Sequence, residues 1–594
     1  MPLRSGRPPP GVEEIAYFLP LRDQDLNPRT MQQYLEREIR DVLASMEGVP
    51  EGFTPEFETP NNPEHGDLST NAAMQLARHL RRAPRQIAED LAARLRERPL
   101  DPHRVAAVEV AGAGFLNFRF SDAYLAEGIA GLLAAGDRYG RTGTGGRRRA
   151  MVEYVSANPT GPLTVGHGRN AVLGDTIANL LDWTGYDVTR EYYFNDAGRQ
   201  MRVLGESVRA RYLANVDPAL PTKQIKTGEN EFATVPEPFP DDGYLGDYIA
   251  EIAQGLYETN GDVLAHAPDV RPFKQAAQDA IFADIERTML RLGIRMNSFF
   301  NEDSLYQNNK VWDTLQALRD AGFVYDKDGA VWFRTTAFGK EQDTVLVKSS
   351  GEPTYRLPDI AYHVEKFERG FDRMVDIFGA DHIATYPDVL EGVRVLGYDP
   401  AKVDVVIYQF VTLVRGGEPV KMSTRKATYV TLDELMDEVG EDVTRFFFLM
   451  RSPNTHLEFD LDLAKEASDK NPVFYLQYAH ARICSIIRKA QEVGFTFGDR
   501  ADLSLLRHEA EVALMKELLR FSDVLERAAA LKEPHHVATY LREVAVAFTQ
   551  FYGNCRIIGE EAALATARMH LARAAQIVLR NGLTVLGISA PEQM

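Results

Sequence analysis

No segment of this chain constrains its fold more than the one that opens with the β-like run Met151 to Ser156. A turn of small, helix-breaking residues follows, Ala157-Asn158-Pro159-Thr160-Gly161-Pro162, then Leu163-Thr164-Val165-Gly166-His167 and an apolar helix starting near Gly166. Val188 to Tyr193 reads as the next strand. A strand, a tight turn, a helix and a second strand, in that order, begin a doubly wound parallel sheet. Such a turn places backbone N–H groups and the positive end of a helix dipole at the carboxyl edge of the sheet, where phosphates dock. Gly166 allows a nucleotide close to the backbone. His167, in the first turn, can donate a hydrogen bond to a phosphate oxygen, although a Gly-His pair alone serves equally well as a helix cap.

The rest of the chain is organised around that sheet. Further apolar runs at Met374 to Phe378 and Val403 to Phe410 can complete it, and the polar, helical stretch from Asp196 to Phe300 looks inserted. With 594 residues, several domains are expected. Residues 27–140 read as a small α+β unit, with a helix over Thr30 to Met46 and strands within Val108 to Phe120 around a glycine turn. Residues 141–462 hold the sheet, and 463–594 read as a helical bundle with long helices at Asn471 to Val493 and His535 to Gly553. The fold expected is therefore multidomain α/β: a doubly wound parallel sheet with helical insertions, a small N-terminal α+β domain and a C-terminal all-α bundle. Residues 1–26, with prolines 8 to 10, read as a flexible tail; Arg4 and Arg7 precede no apolar core, so no secretory signal is expected.

Composition excludes more than it selects. The most apolar stretch, Val403 to Val414, is short and carries Asp404 and Gln409, so no membrane span is expected. The two cysteines, Cys484 and Cys555, form no C-x-x-C pair; neither a zinc site nor a disulfide framework is expected, and a reducing, cytoplasmic location fits. A net charge of −19 argues against a general nucleic-acid coat, but leaves room for local basic faces at Arg78 to Arg85 and Arg147 to Arg149. A second cationic segment, Lys421-Met422-Ser423-Thr424-Arg425-Lys426, follows the turn Arg415-Gly416-Gly417-Glu418-Pro419. Cations and a hydroxyl on such a loop can neutralise charge that develops as pyrophosphate leaves.

Thr164-Val165-Gly166-His167 resembles the HIGH signature of the class I aminoacyl-tRNA synthetases, and Lys421 to Arg425 resembles their KMSKS signature. The surrounding residues resemble the arginine-specific branch: Glu153 to Pro162, Asn195-Asp196-Ala197-Gly198, Gln477 to Ile483 and the final Gly587 to Met594. Two positions depart from the pattern. Thr164 stands for the first histidine of HIGH, and Thr424 for the second lysine of KMSKS, with Arg425 and Lys426 beside it.

The resemblance implies an enzyme that activates L-arginine with ATP and transfers it to the 2′-hydroxyl of the terminal adenosine of tRNA(Arg), releasing pyrophosphate and AMP. It implies catalytic roles for His167, Lys421, Ser423 and Arg425, and an ATP site lined by Pro159, Thr164, Gly166, His167, Met422 and Lys426. Glu153, Ser156 and Asn158 would hold the amino-acid end of the substrate, and His382 would help close the site. The guanidinium is planar and permanently charged, so a carboxylate accepting paired hydrogen bonds suits it. Asp359 would be that carboxylate with Tyr355 beside it, the two sharing a helical face if the helix is established across Pro358. Mg²⁺ is expected to accompany ATP, without a dedicated protein cage, and the family suggests a monomer. Gly114 to Phe118 resembles the strand that touches the tRNA elbow, so Phe115 and Asn117 are candidate contacts while Phe118 reads as core. Asp442-Val443-Thr444-Arg445 resembles the signature that enters the anticodon-binding bundle, where Tyr475, Tyr478 and Met594 are candidate tRNA contacts. Three other readings stay open at this point: a class I synthetase for another amino acid, a small nucleotidyltransferase of related fold, and an inactive tRNA-binding paralogue.

Overall fold

The computed structural model describes residues 30–60, 62–98, 100–194, 198–227, 231–420, 430–495, 498 and 500–594. Its centre is a parallel five-stranded sheet, formed in chain order by β1 (Arg149–Glu153), β2 (Asp187–Phe194), β3 (Ser298–Asn301), β4 (Arg373–Gly379) and β5 (Val403–Tyr408). The spatial order is β5-β4-β1-β2-β3. The chain thus builds outward from β1 to β3, then returns to build the other half from β4. Met151 pairs with Met374 and Arg149 with Asp187, so the point where the winding reverses lies between β1 and β4. In sheets of this kind the ligand crevice opens outside the carboxyl ends of the strands at that point.

Helix Val165–Trp183 crosses this reversal point. Ala171, Val172, Leu173, Ile177, Ala178, Leu180 and Leu181 are all buried, so the helix is apolar on nearly every side, as a helix enclosed between the sheet and other layers must be. Its closest approach to the sheet is at Gly174, where a Cβ would stand 2.2 Å from the Tyr154 ring. Only glycine fits there.

The segment between β2 and β3 contains helices Gly198–Val216, Asp247–Asn260 and Arg271–Arg291 with an antiparallel hairpin, Thr222–Lys226 and Phe232–Pro236. The sequence reading ran this insertion to Phe300. Instead, Ser298–Asn301 is the edge strand of the main sheet, too short and too interrupted by polar residues to announce itself by periodicity. A second excursion precedes β4: helix Lys310–Asp320, a three-stranded antiparallel sheet of Val324–Lys327, Ala330–Phe333 and Thr344–Val347, then helix Arg356–Glu368.

At the N-terminal side, helices Met31–Leu43, Ala72–Leu80 and Pro84–Glu97 pack on a four-stranded antiparallel sheet that includes the hairpin Val105–Ala111 and Phe115–Phe120. Leu35, Ile39, Leu76, Leu91, Leu116 and Phe118 form its core. The next helix, Asp122–Ala135, puts Leu125, Ile129 and Leu132 into the main core. The bundle comprises Pro472–Glu492, Glu509–Leu519, Phe521–Leu531, His535–Asn554 and Ala562–Leu586. Cys484 and Cys555 are both buried, unpaired thiols. No helix among the described residues is long and apolar enough to cross a membrane.

Bundle, insertion and catalytic sheet meet at Arg445, which is 1 % exposed. Its guanidinium donates to the Asp175 carboxylate at 2.6 Å, to the Leu292 carbonyl at 2.7 Å and to the Leu586 carbonyl at 3.0 Å. Gly587, at φ +70°, ends the last helix with no side chain; a Cβ there would lie 2.2 Å from the same guanidinium. Replacing Arg445 with Met is expected to cost about 3–5 kcal/mol, because it removes the closer cation from a buried carboxylate and leaves only Arg190, at 3.8 Å, to balance it. The loss should appear as a lowered midpoint of thermal unfolding followed by circular dichroism, and an unmoved midpoint would deny Arg445 this role.

Candidate functional site

After Glu153, β1 gives way to a turn in which Val155 (φ +67°) and Ser156 (φ +41°) both adopt left-handed backbone. That conformation is costly for a β-branched residue, and such strain persists only where surrounding contacts impose it. Here they do. The Asn170 side chain accepts from the Val155 N–H at 2.6 Å and donates to the Ile377 carbonyl of β4 at 2.9 Å. The Ala157 carbonyl accepts from the Tyr192 hydroxyl of β2 at 2.7 Å. Ser156 accepts from the Tyr193 N–H at 3.1 Å and donates to Glu153 at 3.1 Å. The turn is pinned to three strands at once.

Pro159 is buried, whereas Asn158 is exposed and donates to Gln200 at 2.8 Å. Thr164 precedes the helix, and its backbone N–H donates to His167 Nδ1 at 3.1 Å. With Nδ1 acting as acceptor, a neutral imidazole carries its proton on Nε2. Burial lowers the His167 pKa and favours that neutral form. The backbone N–H of residue 164 thus favours this tautomer, and the Thr164 hydroxyl lies 3.2 Å from the same ring nitrogen. Gly166 is only partly buried, leaving open backbone at the start of the helix.

Beneath this edge lies an ion cluster that the sequence did not announce. Lys366, fully buried on helix Arg356–Glu368, donates to Glu153 on β1 and to Asp376 on β4, each at 2.6 Å. Asp376 also meets His363 Nε2 at 2.9 Å, and His363 Nδ1 lies 2.8 Å from the Asp359 carbonyl. Burial opposes the Lys366 charge, but Asp376 and Glu153 outweigh it and hold the ammonium above the usual lysine range. Burial pushes Glu153 upward, while Lys366 and His363 overcome the same effect at Asp376 and hold that carboxylate low. Glu153, read from sequence as a substrate ligand, is thus 5 % exposed and already occupied by Lys366 and Ser156.

Asp359 differs from its neighbours. It lies in the first turn of helix Arg356–Glu368, its N–H bonded to the Tyr355 carbonyl at 3.2 Å. Pro358 sits in the same turn, where a missing N–H costs nothing. Burial raises the Asp359 carboxyl to about 7; His363 and Lys366 pull it down, while Glu153 and Glu302 push it up. No ion pair to the Asp359 side chain is found among the described residues. Glu302, just past β3, is 7 % exposed and accepts from the Tyr193 hydroxyl at 2.8 Å. A partly buried carboxyl facing two further carboxylates favours a cationic ligand.

Other expected residues are more scattered. Tyr355 is 75 % exposed at the helix start. His382 is exposed just beyond β4, its ring stacked on Phe378 at 5.0 Å. Lys421, Met422, Ser423, Arg425 and Lys426 lie outside the described residues. In the N-terminal sheet, Asn117 is 5 % exposed and its side-chain oxygen accepts from Ser69 at 2.8 Å; Phe118 is fully buried, and Phe115 is the partly exposed member of the strand. In the bundle, Tyr478 is 47 % exposed and stacks on Phe474, Met594 is 57 % exposed, and Tyr475 packs partly into the core. The one group of three His, Cys, Asp or Glu side chains spaced to hold a metal among the described residues is Glu533, His535 and His536, at the start of a bundle helix.

Sequence reasoning passed over Glu302, Tyr193, Lys366, His363, Asp376, Arg169 and Asn170. For part of this set a signal exists: Asp359, His363 and Lys366 repeat at helical spacing along one face, and Arg169-Asn170 interrupt an otherwise apolar helix.

Three family descriptions match the chain: "Arginyl tRNA synthetase N terminal domain" over residues 33–120, "tRNA synthetases class I (R), catalytic domain" over 128–449, and "DALR anticodon binding domain" over 476–594. A curated arginine–tRNA ligase of Salinibacter ruber is 64 % identical, covering 95 % of this chain and all of that one. Another, from Desulfotalea psychrophila, is 50 % identical over 90 % of this chain and 94 % of its own length. The solved structure of Thermus thermophilus arginyl-tRNA synthetase superposes with a TM-score of 0.75 at 23 % identity, over 95 % of this chain and all of that one, a likeness of fold.

Replacing Lys366 with Met would leave Glu153 and Asp376 together in a dry interior, at a cost of about 3–5 kcal/mol. Their folded-state pKa values would then rise above the unfolded ones, so stability is lost as pH increases through the raised values. The variant's thermal-unfolding deficit against the parent protein should be larger at pH 8 than at pH 5.5. A deficit independent of pH would mean that packing, and not charge, is what Lys366 supplies.

Proposed function

From the premise that this chain belongs to the arginyl-tRNA synthetases of class I, we propose how its site performs the family's reaction. The protein is an ATP-dependent arginine–tRNA ligase with a class I catalytic domain and a helical anticodon-binding domain. It activates arginine as the adenylate and then charges tRNA(Arg).

In this reading Asp359, with Glu302 near it, receives the guanidinium. The observation that carries it is the unpaired, partly buried Asp359 carboxyl, raised to about 7 among other acids. Arginine supplies the missing positive charge, and its planar donors suit two acceptors. The pinned turn at Ser156 and Asn158 holds the amino-acid end of the substrate, with Glu153 acting through Ser156. The substrate carboxylate attacks the α-phosphate of ATP, and the bond to the β-phosphate oxygen breaks as pyrophosphate leaves. His167, a neutral Nε2–H donor at the positive end of helix Val165–Trp183, steadies the phosphates at this step. Lys421, Ser423 and Arg425 complete the charge stabilisation, with Met422 and Lys426 against the nucleotide. The ribose hydroxyl of the tRNA terminal adenosine then attacks the adenylate carbonyl, and AMP departs. Mg²⁺ arriving with ATP would neutralise part of the phosphate charge.

Phe115 in the N-terminal sheet, and Tyr475, Tyr478 and Met594 on the bundle, are the tRNA contacts of this reading, with buried Asn117 shaping the strand that presents Phe115. A monomer acting in the cytoplasm completes it; the buried thiols Cys484 and Cys555 are compatible with a reducing compartment.

Pyrophosphate exchange run with each amino acid should respond to arginine alone, and only when tRNA is present. Exchange driven by another amino acid would refute the specificity assigned to Asp359. Because the empty Asp359 carboxyl titrates near 7 and only its anion pairs with guanidinium, the KM for arginine should fall as pH rises through that value, by at most about tenfold per pH unit. Asp359→Asn should raise the arginine KM by about tenfold or more, given charge-assisted bonds of about 1.5–3 kcal/mol each, and flatten this pH dependence. A persisting dependence in the variant would assign the titration to another group.

A further inference from the structure

Arg169 follows the signature histidine by two positions, on helix Val165–Trp183, and is 0 % exposed. Among the described residues no carboxylate pairs with it. Its guanidinium donates to backbone carbonyls only: Gln409 at 2.6 Å, Thr455 at 3.0 Å and Ser452 at 3.1 Å, while its buried Nε has no partner. Burial lowers its pKa to about 10, which still leaves it charged near neutral pH.

The three acceptors are not arbitrary. Gln409 is the residue after Tyr408, where β5 ends at the carboxyl edge, and its own N–H donates to the Pro453 carbonyl at 3.0 Å. Leu457 donates to the Phe410 carbonyl at 3.2 Å, and Val411–Arg415 then runs parallel to Leu457–Asp460. One guanidinium therefore ties the start of the signature helix to the far wall of the crevice, at the end of β5. The adjacent Asn170 ties the same helix to β1 and β4. A buried cation is expensive to desolvate, and a carboxylate partner would have been the ordinary remedy. With carbonyls alone as partners, the net positive charge stays beside the helix N-terminus, where it can act on a bound polyanion.

We infer that Arg169 is a positioning residue for the nucleotide: it fixes the width of the crevice between the signature helix and the end of β5, and lends it an uncompensated positive charge. This rests on the ATP-dependent activation assigned above and goes beyond the residues given roles there. Arginine binds on the other side of β1, around Asp359, so the two substrates should respond differently. A residue that served stability alone would affect both together.

The test is steady-state pyrophosphate exchange with the full chain and tRNA, on Arg169→Lys and Arg169→Gln. Lysine keeps the charge but loses the fork that reaches three carbonyls; glutamine loses the charge as well. We expect the KM for ATP to rise by about tenfold in Arg169→Lys and further in Arg169→Gln, with the KM for arginine within about twofold of the parent and the thermal midpoint of the lysine variant close to it. Parallel losses for both substrates, or unchanged ATP kinetics in a folded lysine variant, would overturn the assignment. Loss of all exchange in the parent protein would instead strike at the activity reading itself.

Discussion

Lys366 is a full positive charge with no access to water, lodged between a carboxylate on β1 and another on β4. Those two strands adjoin at the reversal point of the sheet, the place where a doubly wound fold opens its crevice. What surrounds the ammonium inherits its position from it. Glu153 is held so that its second oxygen receives Ser156, which fixes the strained turn; Asp376 is held so that it receives His363, which in turn reaches back to the Asp359 carbonyl. The charges of the cluster are spent internally. Asp359, on the same helix face, is the acid left over.

The two halves of the site are built on different physical terms. Around Asp359, burial and then the neighbouring carboxylates of Glu153 and Glu302 raise its proton affinity, an arrangement that is unfavourable until a cation arrives. On the nucleotide side, the contributions are a helix N-terminus, a histidine with its tautomer set by a backbone N–H, and a buried guanidinium satisfied by carbonyls. Negative and positive potential are kept apart by β1 and its turn. In the proposed reading the carboxylate and phosphate that must react meet there, with little need for a base of unusual strength.

Much of this was legible in the sequence because it is local. The strand, the Asn-Pro-Thr-Gly-Pro turn and the helix that starts at Val165 are written in consecutive residues, and β4 and β5 stand out as apolar runs. Glu302 was not legible. It follows a four-residue edge strand with weak periodicity, inside a stretch that reads as polar insertion. The pairing of Glu153 was not legible for a related reason: its partner Lys366 lies 213 residues away, and nothing in either neighbourhood reveals it. Asn117 illustrates the same limit, since only the neighbouring strand that carries Ser69 decides which way its amide is used. Thr164 looks from sequence like a lost contact, and the backbone N–H that orients His167 belongs to the same position whatever its side chain.

Arg445 joins groups that are made at very different times. Asp175 is synthesised 270 residues before it, Leu292 153 residues before it, and Leu586 141 residues after it. Until Leu586 leaves the ribosome, the guanidinium lacks one acceptor, and the helix Ala562–Leu586 that packs around the pair does not exist. The guanidinium gains its full set of acceptors only once the last helix of the chain has docked, so this joint between the signature helix and the bundle is among the contacts that translation supplies last.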